Sequence, residues 1–383
     1  MDDRRLRILF SSPAYYPALA FGGPVWMARE LNEGMVRRGH SVDVLTTSLR
    51  GVAAGLTART VSTEVGGVRV HYLATPLRYR WMGITPSVFT WLGKVPRPDV
   101  AHIFGFRDPI GTATAFWCRR QGIPYVFEPL GMFRPRLRKI RLKRAFDKSL
   151  LWWLPRAAAA IVVTSEHEGR EVVGGAVPVV VRGNGFPPPV ARRNRSGALR
   201  SALGLDREPL VLYVGRIASG KGIEMLLETI RFLPGAHLAL VGPDDGHGVS
   251  ASVSKAERDP ATRGRVHRFE PTVRPLDLYG DADVFVLASA GESFGMVAAE
   301  AAAAGTPVIV SDRCGVAEFL GPEGAVVVPY DSDAVRRAVA RILKDAELQQ
   351  RLSEAGRATA AANSWDVMVE RQEQIYRDAI GRS

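Results

Sequence analysis

Cysteine is nearly absent from this chain of 383 residues, where only Cys118 and Cys314 occur. They stand far apart with no ligand-type spacing around either. That excludes a disulfide framework and a cysteine-based zinc site, and leaves both as buried small hydrophobic side chains. Long apolar runs are missing too. No stretch reaches the ~20 residues that a membrane-crossing helix needs. The opening Met-Asp-Asp-Arg-Arg-Leu-Arg-Ile-Leu-Phe enters a strand pattern at once, without the order of a secretory signal. These absences point to the cytosol. Acid is also in short supply: 39 Asp and Glu face 51 Lys and Arg, a formal charge of +12. Such a balance favours anionic partners, whether phosphate esters, acidic lipid headgroups or nucleic acid.

The remaining composition, 46% hydrophobic and 23% charged, is that of a folded protein too long for one ordinary core. Short Val- and Ile-rich runs alternate with stretches of helical period, the pattern of a parallel sheet covered by crossover helices. Strands are expected at 6–11, 41–46, 99–104, 124–128, 160–164 and 179–182. After a break they are expected again at 210–214, 237–241, 265–269, 283–288, 307–311 and 325–328. The break, Asn184-Gly-Phe-Pro-Pro-Pro189 and the basic stretch after it, has turn formers and no apolar period, so 184–200 reads as a linker. The expected fold is α/β, with doubly wound domains at 1–183 and 201–362 and a ligand cleft where the strands' carboxyl ends meet. The last segment, 363–383, reads as an amphipathic helix able to dock on either domain, including back on the first.

Three motifs carry chemistry. Gly215-Arg-Ile-Ala-Ser-Gly220-Lys221-Gly222 follows one strand and precedes a helix starting near Ile223, so a flexible turn brings two cations to a helix N-terminus. It can cradle a diphosphate, with Arg216 forking onto oxygens and Lys221 as a point charge, or it can be a surface turn with two solvated cations. It is no P-loop, because Gly222 stands where a metal-binding hydroxyl would be needed. In the second motif, Glu292 and Glu300 lie eight positions apart, with Glu292 in a loop and Glu300 about two turns into the next helix. The first can accept hydroxyl bonds from a hexose and the second from a ribose diol. Backbone amides around Gly295, Met296 and Val297 can meet phosphate, and the plainer reading is a helix with an acid near its start. Third, Gly22-Gly23 before a helix from about Pro24 allows close approach to phosphate or acceptor, unless it is a plain strand-to-helix turn. Asp281-Ala-Asp283 spells a metal-binding signature but opens a strand, and no metal or other cofactor is expected.

In spacing and order, the Arg/Lys loop followed by Ala288-Ser-Ala-Gly-Glu292-Ser-Phe-Gly-Met-Val-Ala-Ala-Glu300-Ala-Ala-Ala-Ala-Gly305-Thr-Pro-Val-Ile resembles glycosyltransferase family 4. The resemblance runs over essentially the whole chain and implies the GT-B fold, two Rossmann-like domains facing across a cleft. It further implies a retaining, metal-independent transfer of a hexose from a nucleotide diphosphate sugar to a hydroxyl acceptor. Glu292 would then contact the sugar, Glu300 the ribose, and Arg216 with Lys221 the leaving diphosphate. Gly22, Gly23, Gly215, Gly242, Ser293, Phe294, Gly295, Met296 and Val297 would complete the donor site. The base would lie near Gly242-Pro243 and 265–269.

On the acceptor side the candidates are His102, Phe104 and Glu128, which end two expected strands. The family often carries a second His two positions after the first, and Phe104 stands there. His102 and Glu128 read equally as a packed strand residue and a capping residue. Arg134 to Lys148 holds eight basic residues and one acid, interleaved with Leu137, Ile140, Leu142 and Phe146, and Leu150-Leu-Trp-Trp-Leu154 follows. The favoured reading of 134–154 is an amphipathic face on an anionic membrane, holding the enzyme at the inner leaflet beside a lipid-linked or cell-envelope acceptor. Nucleic acid is disfavoured, since no stacking platform, recognition helix or zinc motif accompanies the charge. The rival readings are a sugar-nucleotide epimerase or phosphorylase on the same fold, and a non-catalytic membrane-binding subunit.

Overall fold

The computed structural model describes residues 4–49, 59–79, 82–133, 147–172, 175–190, 197–246, 248–270 and 275–382. It divides into two compact units, Met1–Asn184 with Trp365–Ser383, and Gly185–Ser364. In the first unit the strands are β1 (Arg7–Ser12), β2 (Ser41–Thr47), β3 (Val61–Val65), β4 (Val68–Leu73), β5 (Leu77–Tyr79), β6 (Met82–Ile84), β7 (Val100–Phe104), β8 (Tyr125–Glu128), β9 (Ala160–Val163) and β10 (Val179–Val181). Eight of them form one sheet in the order β10-β9-β8-β7-β1-β2-β4-β3, parallel except for the antiparallel edge strand β3. β5 and β6 make a separate hairpin.

The six strands expected here are present within a residue or two; five are apolar runs buried on nearly every residue, and the sixth, β10, is a part-exposed edge strand. The β3–β4 hairpin, turned by Gly66-Gly67, is an addition. Its strands alternate or stay exposed, so a search for continuous apolar runs passes over them. The helix Trp365–Gly381 belongs to this unit. Met368, Val369, Ile375 and Tyr376 are buried, and Gly34 on the helix Gly23–Arg37 admits Val369 where a Cβ would lie 2.4 Å from its methyl. Glu373 of the same helix pairs with Arg38 and Arg377.

The second unit contains β11 (Leu210–Val214), β12 (His237–Val241), β13 (Val266–Phe269), β14 (Val284–Leu287), β15 (Val308–Ser311) and β16 (Val326–Val328). All are parallel, in the order β13-β12-β11-β14-β15-β16, the doubly wound order whose switch point falls between β11 and β14. Within the expected linker, residues 186 and 190 are tied to the second unit, while Pro188 and Pro189 are exposed. Phe186 is fully buried and bonded through its amide to Asn363 O (2.8 Å), and Val190 donates to Ala303 O (3.0 Å). The run of prolines hides this, since its apolar contacts follow no period. Residues 191–196 lie outside the described residues.

Asp281 accepts from the amides of Gly197 and Leu199 (2.8 Å each), and Asp283 from Arg200 (2.6 Å) and the Leu210 amide (2.9 Å). These carboxylates brace the short helix Ala198–Leu203 against the sheet. Both cysteines are buried.

Backbone crowding at the switch point fixes where the loops go. A Cβ on Gly222 would lie 2.1 Å from Ala288 O, just beyond β14, and one on Gly242 would lie 2.1 Å from Gly215 O. Both glycines also have positive φ, 74° and 143°. Gly222→Ala should therefore push the loops after β11 and β14 apart. The expected outcome is a loss of at least ~2 kcal/mol in the second unit, read as a lower denaturant midpoint. An unchanged midpoint would mean that the close approach is not real.

Candidate active site

Because β11 and β14 are neighbours, the loops after them share the carboxyl end of the sheet. The loop 215–222 carries Arg216 and Lys221, and leads into the helix Ile223–Phe232. It is stitched to the end of β12 by Ile217 N to Pro243 O (2.9 Å) and to the loop after β14 by Ala290 N to Gly220 O (2.8 Å). Glu292 sits in a short extended segment held against 313–316. Its amide donates to Arg313 O (3.0 Å), Gly315 donates back to Glu292 O (3.2 Å), and Val316 donates to Phe294 O (2.8 Å).

These supports bring Lys221 Nζ to 2.5 Å from Glu292 Oε1, with Ser289 Oγ donating to the same oxygen at 3.0 Å. Both charged side chains keep about a fifth of their surface open, 21% and 23%. A pair so placed is charge-assisted but still reachable. Arg216 is far more open, 59% exposed, with only a 3.3 Å contact to Asp245. The loop thus holds one cation engaged and one extended.

The next helix, Met296–Ala303, starts after Gly295 at φ 108°. A Cβ there would meet Leu287 at 2.9 Å, so glycine is required. By position the amides of Met296 and Val297 have no acceptor within the helix. Glu300 is the fifth helical residue, one turn in rather than two, because the helix begins only at Met296. It accepts from Tyr279 Oη at 2.8 Å. Burial pushes its carboxyl up to about 7, against the lowering effect of that bond. Carboxylates raised by burial in this way are enriched at functional sites. Phe294, expected at the donor, turns inward instead. It is 2% exposed and lies against Phe186 and Phe319, at ring distances of 6.0 and 5.2 Å. Ser293, Met296 and Val297 are part-buried beside it. Tyr279 and Ser289 carry no local signal in the sequence and are found only through the fold.

The acceptor candidates lie in the first unit, and each turns out to be internal. Phe104 is 1% exposed, and His102 and Glu128 are fully buried. Arg182 donates in a fork to both oxygens of Glu128 (2.8 Å each), His102 Nε2 stands 3.1 Å from the Oε2 that takes one arm of that fork, and His102 Nδ1 stands 2.7 Å from Tyr376 Oη. Arg182 also donates to Gln372 (2.8 Å), so the group fastens the last helix to the ends of β7, β8 and β10. All three side chains, expected at the acceptor, are thus enclosed within the first unit. The sequence misses this because Arg182 and the last helix are remote in the chain. Gly22 and Gly23 are exposed at the start of the helix Gly23–Arg37, with nothing within 4 Å of an added Cβ. Of the basic stretch, 134–146 lies outside the described residues. Asp147–Leu151 and Trp153–Arg156 are helical turns. Among the described residues no group of three or more His, Cys, Asp or Glu is placed to hold a metal ion, and no helix is long and apolar enough to cross a membrane.

The His102–Glu128 pair in the first unit and Glu300 in the second should contribute to pH-dependent stability in opposite senses. Burial holds His102 below its ordinary 6.5. Glu128 is held below 4.5 because Arg182 and His102 outweigh the opposing effect of burial. At these two groups the unfolded chain therefore binds more protons than the folded one once pH falls below about 6.5, and their contribution to stability is lost with acid. Glu300 is raised, so the folded second unit keeps a proton that the unfolded chain releases between 4.5 and about 7, and stability falls there as pH rises. Its part-exposed edge limits the effect to ~1–2 kcal/mol. Urea unfolding of the second unit at pH 5 and 7.5 should show Glu300→Gln removing the part of its stability loss that appears as pH rises. An unchanged pH dependence in Glu300→Gln would refute this assignment.

Comparison with known proteins is consistent with this arrangement. A family profile described as "Glycosyl transferases group 1" matches residues 195–359, and one described as "Glycosyl transferase 4-like domain" matches residues 22–185. A D-inositol 3-phosphate glycosyltransferase of Segniliparus rotundus is 32% identical over 199 residues, 49% of this chain and 44% of that protein. The chain spans about half the length of the curated relatives of that name. Sucrose-phosphate synthase from Thermosynechococcus elongatus has a TM-score of 0.78 at 25% identity, over 99% of this chain and 100% of that one. The Anabaena protein Alr3699/HepE, solved in complex with UDP and glucose, has a TM-score of 0.74 at 18% identity, over 97% of this chain and 99% of that one. This chain belongs to the group 1, family 4-type glycosyltransferases, with the GT-B fold of two Rossmann-like domains.

Proposed function

We propose that this enzyme transfers a hexose, with retention of anomeric configuration, from a nucleotide diphosphate sugar to a hydroxyl of a lipid-linked or other cell-envelope precursor. The observation that carries the reading is the Lys221–Glu292 pair at the switch point of the second unit. A diphosphate arriving beside Lys221 exchanges one anionic partner for another, which frees Glu292 to accept hydroxyl bonds from the sugar. Arg216, open to solvent, adds a second cation, and the amides of Met296 and Val297 add dipoles where charge grows on the leaving group. Glu300 is suited to a ribose diol. Receiving two hydroxyl bonds favours its ionised form, so donor binding should expel the proton that its raised pKa retains at neutrality.

In this mechanism the bond from the anomeric carbon to the diphosphate oxygen breaks as the acceptor oxygen approaches on the same face. The leaving oxygen takes the acceptor's proton, so no covalent sugar–enzyme intermediate forms. The cations that stabilise the diphosphate come from Arg216 and Lys221, and the reaction in this form needs no metal. The UDP and glucose named for the Anabaena structure support a nucleotide sugar as the donor class. The seven basic residues of 134–146, with no acid among them, support work at the anionic inner face of the plasma membrane. A second reading of the acceptor, a small phosphorylated polyol, is favoured by the relatives named for D-inositol 3-phosphate.

Turnover with UDP-, GDP- and ADP-sugars against both acceptor classes should find one productive pair. In that pair Lys221→Ala and Glu292→Ala should each lower kcat by ~10²–10³-fold while the fold remains. Normal turnover in Lys221→Ala would end this assignment of roles. Sugar-nucleotide conversion without any acceptor would point to an epimerase.

A further inference from the structure

The first unit exposes large apolar side chains where they have no role in its core. Leu150 is 57%, Trp152 53% and Phe116 44% exposed. Phe116 lies on the helix Pro109–Gln121, Leu150 in the turn Asp147–Leu151, and Trp152 directly before the helix Trp153–Arg156. Phe116 meets Trp153 edge to face at 6.3 Å. Three guanidiniums lie against these rings: Arg119 5.9 Å from Trp153, Arg120 5.5 Å from Phe116, and Arg156 5.8 Å from Trp152. Arg156 also donates to Trp152 O at 2.7 Å, which fixes it beside the ring.

The charged groups that lie against these rings are all cations. The helix Pro109–Gln121 contains no acid, and none of the three guanidiniums has a carboxylate partner among the described residues. Asp147, the one acid nearby in sequence, is taken by Arg107 in a fork of 2.7 and 2.6 Å. Isolated exposed aromatics are ordinary, but rings edged by unpaired cations match a bilayer surface. Indole and phenyl groups settle at the headgroup boundary, while arginines reach the phosphates.

We propose that Phe116, Leu150 and Trp152, with Arg119, Arg120 and Arg156, form a face that docks on an anionic lipid bilayer. This rests on the membrane-surface reading above and adds to it a contact surface built from folded elements rather than from charge alone. The occupant follows from complementarity: unpaired cations suit anionic headgroups, and the exposed rings suit the layer just beneath them.

The test is co-sedimentation of the full chain with equimolar phosphatidylglycerol/phosphatidylcholine vesicles and with phosphatidylcholine alone. The wild type should bind only the anionic vesicles. Replacing Arg119, Arg120 and Arg156 together by Gln should weaken binding roughly a hundredfold, at about fivefold for each cation. Trp152→Ser should weaken it severalfold with no change in charge, which a purely electrostatic contact would not show. Calorimetry with the nucleoside diphosphate should give unchanged affinity in all variants, confirming an intact donor unit. If the wild type binds anionic vesicles and the variants bind equally well, this face is wrong while the membrane reading stands. If the wild type ignores anionic vesicles, both fall.

Discussion

Everything attributed to the second unit depends on one steric constraint: two backbones pass each other at the switch point with no room for a side chain. With Gly222 against Ala288 O and Gly242 against Gly215 O, the loops after β11, β12 and β14 are forced into one cluster. That crowding sets Lys221 and Glu292 in contact though they are 71 positions apart in the chain. Gly295 continues the same logic, letting the Met296–Ala303 helix begin against Leu287 and Val316 and so directing its first amides to the same place.

Charge in the two units is handled differently. Lys221, Glu292 and Arg216 keep partners that a ligand can replace, and Glu300 sits near its titration point, which suits groups that must change partners during a reaction. In the first unit Arg182, Glu128 and His102 are closed off from solvent, with Arg182 donating to Glu128 and Gln372 and His102 Nδ1 beside Tyr376 Oη. Removing one member of such a buried group leaves another uncompensated, which is why it serves to hold the last helix in place.

Much of this could be read from the amino acids alone. The parallel strands are continuous apolar runs, and the Gly215–Gly222 and Glu292–Glu300 motifs are local in sequence, so their elements and order are legible. The β3–β4 hairpin was not, because its strands lack the continuous apolar runs of the rest of the sheet. Phe294 looked like part of a ligand loop, yet its partners Phe186 and Phe319 make it core. His102 and Glu128 looked like groups aimed at an acceptor at the ends of strands. Their partners Arg182 and Tyr376 lie 54 to 274 positions away, and only the tertiary structure shows that both side chains are buried beside them.

The central claim is that the donor's diphosphate and ribose are held by the loops after β11 and β14 and by the first turns of the Met296–Ala303 helix. Amide hydrogen exchange with and without a saturating nucleoside diphosphate tests it most directly. The account predicts slowed exchange concentrated at 215–223 and 292–300, and little change at the buried Glu128–Arg182 group. Protection that left these loops untouched and appeared in the first unit instead would contradict it.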